Sequence, residues 1–314
     1  MPSILQVEGG HPLHGEITVR GAKNFVPKAM VASLLADTPS ELYNVPLIRD
    51  TDVVSNLLSL HGVEIDFDQD RGTLRMDTSN VKIASRSDID TLAGASRIPI
   101  LFCGPLLHQL GEAFIPELGG CAIGGRPIDF HLETLRKFGA IVDKQPDGVH
   151  ITRPASGLHG AIIELPFPSV GATEQTLLTA VRNEGITTLK GAAIEPEILD
   201  LINVLQKMGA IISVDTIHAA TAEAVIEAGA HIINDVSGGL ADPAMAGVLA
   251  DAGVVYICQH WRGDPGTMDR LTDYSALGGV VDGVETELRE RLAELDAAGV
   301  ERSQVVLDPG LGFA

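Results

Sequence analysis

Three stretches of this chain carry the same signal: an amphipathic helix end, a glycine, and then a strand. They read LLSLHGVEID (57–66), TLRKFGAIVD (134–143) and VLQKMGAIIS (204–213). Gly62, Gly139 and Gly209 stand where a helix closes on a left-handed residue, a conformation glycine adopts without a Cβ clash. Their spacings of 77 and 70 residues give the period of a large repeated unit. Upstream, LHGEITV (13–19) recurs as LHGAIIEL (158–165), and the helical VPKAMVASLLAD recurs as TEQTLLTAVRNEG. The unit therefore reads strand, helix, strand, helix, strand. The first two copies close with VEIDFDQDRGTLRMD and AIVDKQPDGVHITR, alternating strands around turns at Arg71-Gly72 and Asp147-Gly148.

The third copy breaks the pattern. AIISVDT runs into IHAATAEAVIEAGA, an alanine-rich helical stretch without turn residues. Strands and helices then alternate simply through HIINDV, VVYICQH, VDGVETELRERLAELDAAG and VVLDPG, which predicts a parallel sheet. The architecture changes near residue 212, inside a repeat, and no Pro/Ser/Gly-rich linker marks the place.

Composition narrows the class. A chain of 314 residues with 45% hydrophobic residues can bury one large core or two smaller ones. The amino-terminal residues show no basic start followed by an apolar run, and no apolar stretch reaches membrane-spanning length. The expectation is a cytoplasmic protein without membrane contact. Cys103, Cys121 and Cys258 are odd in number and far apart, which suits reduced thiols, and no metal spacing appears among them. A formal net charge of −20 disfavours nucleic acid and anionic lipid surfaces. An anionic ligand would have to be held locally, by a few cations or by amides at a helix start.

Four motifs supply such exceptions. VRGAKN (19–24) sets Lys23 and Asn24 at a helix start, where a lysine can meet a phosphate. GGCAIGGRPID (119–129) places Cys121 and Arg126 in a glycine-rich loop able to close over a ligand, and nearby positive charge would lower a thiol pKa. SRIPILFCGPL contributes Arg97, with Cys103 read as a small core residue. PSVGATE (168–174) offers the amides of Ser169, Val170 and Gly171 to an anion. Each pattern alone is also met in ordinary surface loops and helix ends.

Together, residues 1 to about 211 resemble the UDP-N-acetylglucosamine enolpyruvyl transferase family. That resemblance implies a triplicated βαβαββ-like domain. It implies transfer of enolpyruvyl from phosphoenolpyruvate to UDP-N-acetylglucosamine in peptidoglycan precursor synthesis, with no cofactor. It also implies roles: Cys121 protonates or adds to phosphoenolpyruvate, Arg97 and Arg126 hold its phosphate, Lys23 and Asn24 bind substrate, and Ser169, Val170 and Gly171 hold the diphosphate. The general base of that family comes from a second triplicated domain, represented here only by a short strand at the amino terminus.

Residues 212 to 314 read differently. Asp215, Asn234, His260 and Asp308 all fall at carboxyl ends of predicted parallel strands, which share one face in a barrel, although Asp and Asn also end strands as turn formers. ISVDT, HIINDVSGG, QHWRGDPGTM and VVLDPGLGF resemble strand motifs of the dihydropteroate synthase family, a (β/α)8 TIM barrel. This implies that Asp215, Asn234 and Asp308 hydrogen-bond a pterin, with Mg2+ assisting the leaving group, over part of a barrel only. The expected chain is α/β, with an enolpyruvyl-transferase-like domain over 1–211 and a partial barrel over 212–314. It is expected to be a hybrid of two incomplete transferases that completes neither reaction. Its expected partners are small molecules, with exposed strand edges that favour self-association.

Overall fold

The computed structural model describes residues 6, 8–10, 12, 14–93, 97–116, 128–264 and 266–311. A first series comprises α1 (Val26–Ala32), β1 (Ser40–Leu42), α2 (Arg49–Leu60) and the hairpin β2 (Glu64–Asp68) and β3 (Thr73–Asp77). After α3 (Arg86–Ala93), a second series repeats it as α4 (Cys103–Gln109), β4 (Glu112–Pro116), α5 (Asp129–Lys137) and the hairpin β5 (Ile141–Gln145) and β6 (Gly148–Thr152). A third series comprises β7 (Ile162–Glu164), α6 (Val170–Ala180), β8 (Thr188–Lys190) and α7 (Pro196–Lys207). No hairpin follows α7.

The closing glycines are left-handed, with φ of 84° at Gly62, 93° at Gly139 and 98° at Gly209. In each antiparallel sheet the returning hairpin strand lies in the middle, giving orders β1-β3-β2 and β4-β6-β5. Leu74 and Met76 on β3 and Ile151 on β6 are thereby carried into the core. β7 and β8 form a separate parallel pair. One residue range departs from the sequence reading. Of the opening strand expected at 13–19, the described residues 14–19 carry no strand, and Ile17 and Val19 are 90% and 80% exposed. Strand pairing needs a partner edge, and none is engaged by them.

The centre of this body is α6, against which α4, α5 and α7 all pack. Being covered on several sides, it buries Thr173, Glu174, Gln175, Thr176 and Thr179. The threonine hydroxyls are met: Thr176 donates to Ala172 O at 2.8 Å, Thr179 to Gln175 O at 2.7 Å, and Thr173 Oγ1 accepts from Ala193 N at 3.0 Å, whereas Gln175 Oε1 has no hydrogen-bond partner among the described residues.

Beyond α7 the chain forms β9 (Ser213–Asp215), α8 (Ala219–Glu227), β10 (Ile232–Asp235), α9 (Met245–Ala252), β11 (Val255–Gln259), α10 (Val280–Ala297) and β12 (Val305–Asp308). The four strands pair in parallel in sequential order, β12-β11-β10-β9. Val214, Ile233, Tyr256 and Cys258 alternate into an apolar cluster with Ala222, Met245, Leu249 and Leu295 of the helices. The opposite face carries Ser213, Asp215, Asn234, Val255, Ile257 and Val306, all exposed or half-buried. This cluster shares no residue with the larger one, which runs from Val26 to Leu205.

Candidate functional site

Helix starts from different series meet on one side of the first body. Lys23 and Asn24 immediately precede α1. The Asn24 Nδ2 donates to Glu197 Oε1 in the first turn of α7 at 3.1 Å. One turn further, Lys28 Nζ lies 3.3 Å from Glu174 Oε1 on α6 and donates back to Asn24 O. Glu174 is nearly fully buried, and that burial pushes its carboxyl pKa up to about 7, with Lys28 pulling down and Glu197 and Glu195 pushing up. Lys23 itself is largely exposed and lies 3.8 Å from Asp50.

The start of α6 forms the second part. Ser169 is its N-cap, with extended backbone and a side chain accepting from Ala172 N at 3.4 Å. As first-turn amides, those of Val170 and Gly171 have no intrahelical acceptor. Gly171 is required by packing, since a Cβ there would stand 2.9 Å from Cε1 of His131 on α5. Burial lowers the His131 pKa to about 4, with the positive charge of Arg97 adding to the effect and Gln175 opposing it. Arg97, at the N-cap of the 3-10 turn Ile98–Phe102, thus belongs to the same neighbourhood.

The structure therefore groups Lys23 and Asn24 with α6 through Lys28 and Glu174, and Arg97 with Ser169, Val170 and Gly171 through His131. Cys121 and Arg126 lie outside the described residues. Cys103 is fully buried in the core and its thiol is pushed upward by burial, away from reactivity. Lys28, Glu174, His131 and Glu197 escape a sequence reading because their partners are distant in the chain. The one available signal is a Glu inside the apolar pattern of TEQTLLTA.

In the parallel unit, the Asn234 Nδ2 donates to Asp215 Oδ2 at 2.8 Å across the β9–β10 pair, with their Cα atoms in register. Asp308 shares their face but lies two strands over, where its carboxylate accepts from Gly310 N at 2.8 Å, so it does not touch them. The three residues expected to bind a pterin thus share a face, and only Asp215 and Asn234 touch one another. His260, beyond the end of β11, is held by Glu287 at 2.6 Å, and Arg262 lies 3.2 Å from the same carboxylate. Among the described residues no three His, Cys, Asp or Glu side chains converge to hold a metal. A magnesium ion of the kind the barrel resemblance implies would find no such cluster of side chains among the described residues.

Among the described residues no helix is long and apolar enough to cross a membrane. The profile of the EPSP synthase family (3-phosphoshikimate 1-carboxyvinyltransferase) matches residues 7–268, beyond the change of architecture near residue 212. The UDP-N-acetylglucosamine 1-carboxyvinyltransferase of Protochlamydia amoebophila is 42% identical over 216 residues, covering 68% of this chain and 46% of that protein. The enolpyruvyl transferase NikO from Streptomyces tendae superposes with a TM-score of 0.55 at 24% identity, covering 63% of this chain and 45% of that one. A dihydropteroate synthase from Anaplasma phagocytophilum gives a TM-score of only 0.38 at 27% identity over 48% of this chain and 66% of the other, too low to show a common fold. The chain spans about half the length of the curated relatives it matches. By the extent of the profile match and the identity of these relatives, the chain belongs to the EPSP synthase family of carboxyvinyltransferases.

Proposed function

We propose that the first body carries one wall of an enolpyruvyl-transferase cleft and binds UDP-N-acetylglucosamine and phosphoenolpyruvate. Lys23 and Asn24 contact substrate, the amides of Val170 and Gly171 take the diphosphate behind the Ser169 cap, and Arg97 with Arg126 takes the phosphate of phosphoenolpyruvate. Cys121 is the group that adds to or protonates phosphoenolpyruvate. In the overall transfer the sugar hydroxyl loses its proton and bonds to C2 of phosphoenolpyruvate while C3 takes up a proton, and elimination then removes a proton from C3 as phosphate leaves. The observation that carries this reading is the Lys28–Glu174 link at 3.3 Å, which holds the Lys23-Asn24 turn beside the start of α6 in a relative of known carboxyvinyltransferases.

The wall is open to solvent: the Lys23 side chain is 71% exposed. An open surface cannot exclude water from the reacting groups, so binding without turnover is expected of the 314-residue chain. Calorimetry with UDP-N-acetylglucosamine tests the binding, which Lys23→Ala should weaken about tenfold, the loss of roughly one charged contact. Absence of heat from the wild-type chain at millimolar ligand would refute it. Phosphate release that Cys121→Ala abolishes, at rates of an intact enzyme, would refute the lack of turnover.

A second reading concerns the parallel unit, proposed as a portion of different parentage beginning near residue 212. Its support is the change from antiparallel hairpin sheets to an all-parallel sheet with its own apolar cluster. The Asp215–Asn234 pair presents a joined acceptor and donor on the half-buried face, suited to the edge of a pterin ring. A pterin titration with Asp215→Asn as control decides it, and equal binding by both proteins would exclude that face.

A further inference from the structure

The three series do not pack alike at their junctions. His61, the residue capping α2, accepts at its carbonyl from Lys82 N at 2.8 Å, and Phe138, capping α5, accepts from His159 N at 3.1 Å. Each donor stands 21 residues beyond its acceptor, in an extended segment returning across the helix end. Met208 caps α7 in the same way, yet among the described residues no donor reaches its carbonyl. The grooves differ accordingly. Between the first and second series, Ile83, Ala84 and Ile89 fill the space beside His61 and leave a cavity of about 50 Å³. Between the third and first series, Leu35, Ala36, Val181, Met208 and Ala210 line an open cavity of about 390 Å³.

The chain shows what fills the middle junction. LHGAIIEL seats His159 on Phe138, bonds Gly160 N to Glu184 O at 2.7 Å, and continues as β7, parallel to β8 with Ile163 opposite Leu189. The counterpart of β8 in the first series is β1. A left-handed residue follows each, Gly191 with φ of 70° directly after β8 and Asn44 with φ of 58° one residue beyond β1, the latter being the non-glycine with positive φ among the described residues. One edge of β1 is taken by β3, and among the described residues no strand pairs with the other. The counterpart of the LHGAIIEL segment is LHGEITV, whose described residues lie exposed on the surface. These residues are tethered where a parallel strand on β1 would end. Gly21 N donates to Asn44 O at 2.8 Å, and Arg20 donates to Arg71 O and Asp70 O at 3.2 and 3.1 Å. Six extended residues reach roughly 20 Å, enough to run back along β1 to Ala36 in the open groove.

We propose that the free edge of β1 and the groove below it form an acceptor site for an extended strand, and that its occupant is this chain's own His14–Val19. The segment docks parallel to β1, with Ile17 beside Glu41 and Thr18 beside Leu42, as Ile162 and Ile163 lie beside Thr188 and Leu189. Docking gives the free edge of β1 its missing ladder and places His14 and Gly15 over Ala36.

The test is a pair of engineered thiols in the full chain, with Cys121→Ser to remove a competing thiol. Ile17→Cys with Glu41→Cys should form an intramolecular disulfide under oxidised glutathione at least ten times faster than Ile17→Cys with Glu64→Cys, which sits on the far edge of the same sheet. Equal rates for the two pairs would overturn the proposal, and so would a disulfide-linked dimer, which would make a second copy the occupant. Should either variant fail to fold, amide exchange of residues 16–19 in the wild-type protein decides instead. Exchange slowed tenfold or more from unstructured-peptide rates supports docking, and peptide-like rates overturn it. Neither readout depends on substrate binding.

Discussion

At the scale of single residues, Glu174 and His131 are set against each other. Burial raises the Glu174 carboxyl from 4.5 to about 7, so the folded chain takes up that proton more readily than the unfolded chain. Its contribution to stability is then fullest below pH 4.5 and is lost as pH rises through about 7, although the ion pair with Lys28 exists only on the alkaline side. Burial lowers His131 from 6.5 to about 4, which has the opposite sign: its contribution is present above 6.5 and is lost on acidification. Comparing wild type with Glu174→Gln cancels the histidine. Denaturant unfolding at pH 5 and pH 8 should show wild type gaining about 2 kcal/mol relative to the variant on going to pH 5. No pH dependence in that difference would mean that Glu174 is solvated.

At the scale of elements, α4 and α6 approach through Gly104, where a Cβ would stand 2.2 Å from Thr179 Oγ1 and 3.0 Å from its Cα. Gly104→Ala cannot be absorbed by a side-chain rotation, because backbone is in the way. It should cost about 2 kcal/mol, read as a lowered melting temperature. The closing glycines and both hairpins were legible in the sequence because left-handed turns and two-residue periodicity are local demands. The opening strand expected at 13–19 is unpaired over 14–19 for the converse reason: LHGEITV has the alternation of a strand, but pairing depends on an edge that the described residues do not engage. The polar burial of α6 was illegible too. Thr and Gln are buried there because helices surround them, a property of the neighbours rather than of TEQTLLTA.

At the scale of the whole molecule, separate apolar clusters predict separable unfolding. Leu57→Ala and Ile233→Ala should each cost about 2–5 kcal/mol. In calorimetry the first should lower one transition and the second the other, whereas a single transition moved equally by both would show one cooperative unit. The candidate site was legible only in its parts. Motifs announced Lys23, Asn24, Ser169, Val170 and Gly171, while the Lys28–Glu174 link that joins them spans 146 positions and leaves no local trace. The shared face of Asp215, Asn234 and Asp308 was legible because parallel strands align their carboxyl ends, but that Asp215 and Asn234 adjoin while β11 separates Asp308 from them depends on the strand order. The face on which these residues lie has a colloidal consequence. A parallel sheet wet on one side would stack readily on its like, and here carboxylates and an amide interrupt the valines and isoleucines that would serve as adhesive. The dispersal of the particles by a net charge of −20 and the quiescence of this face thus draw on one kind of group.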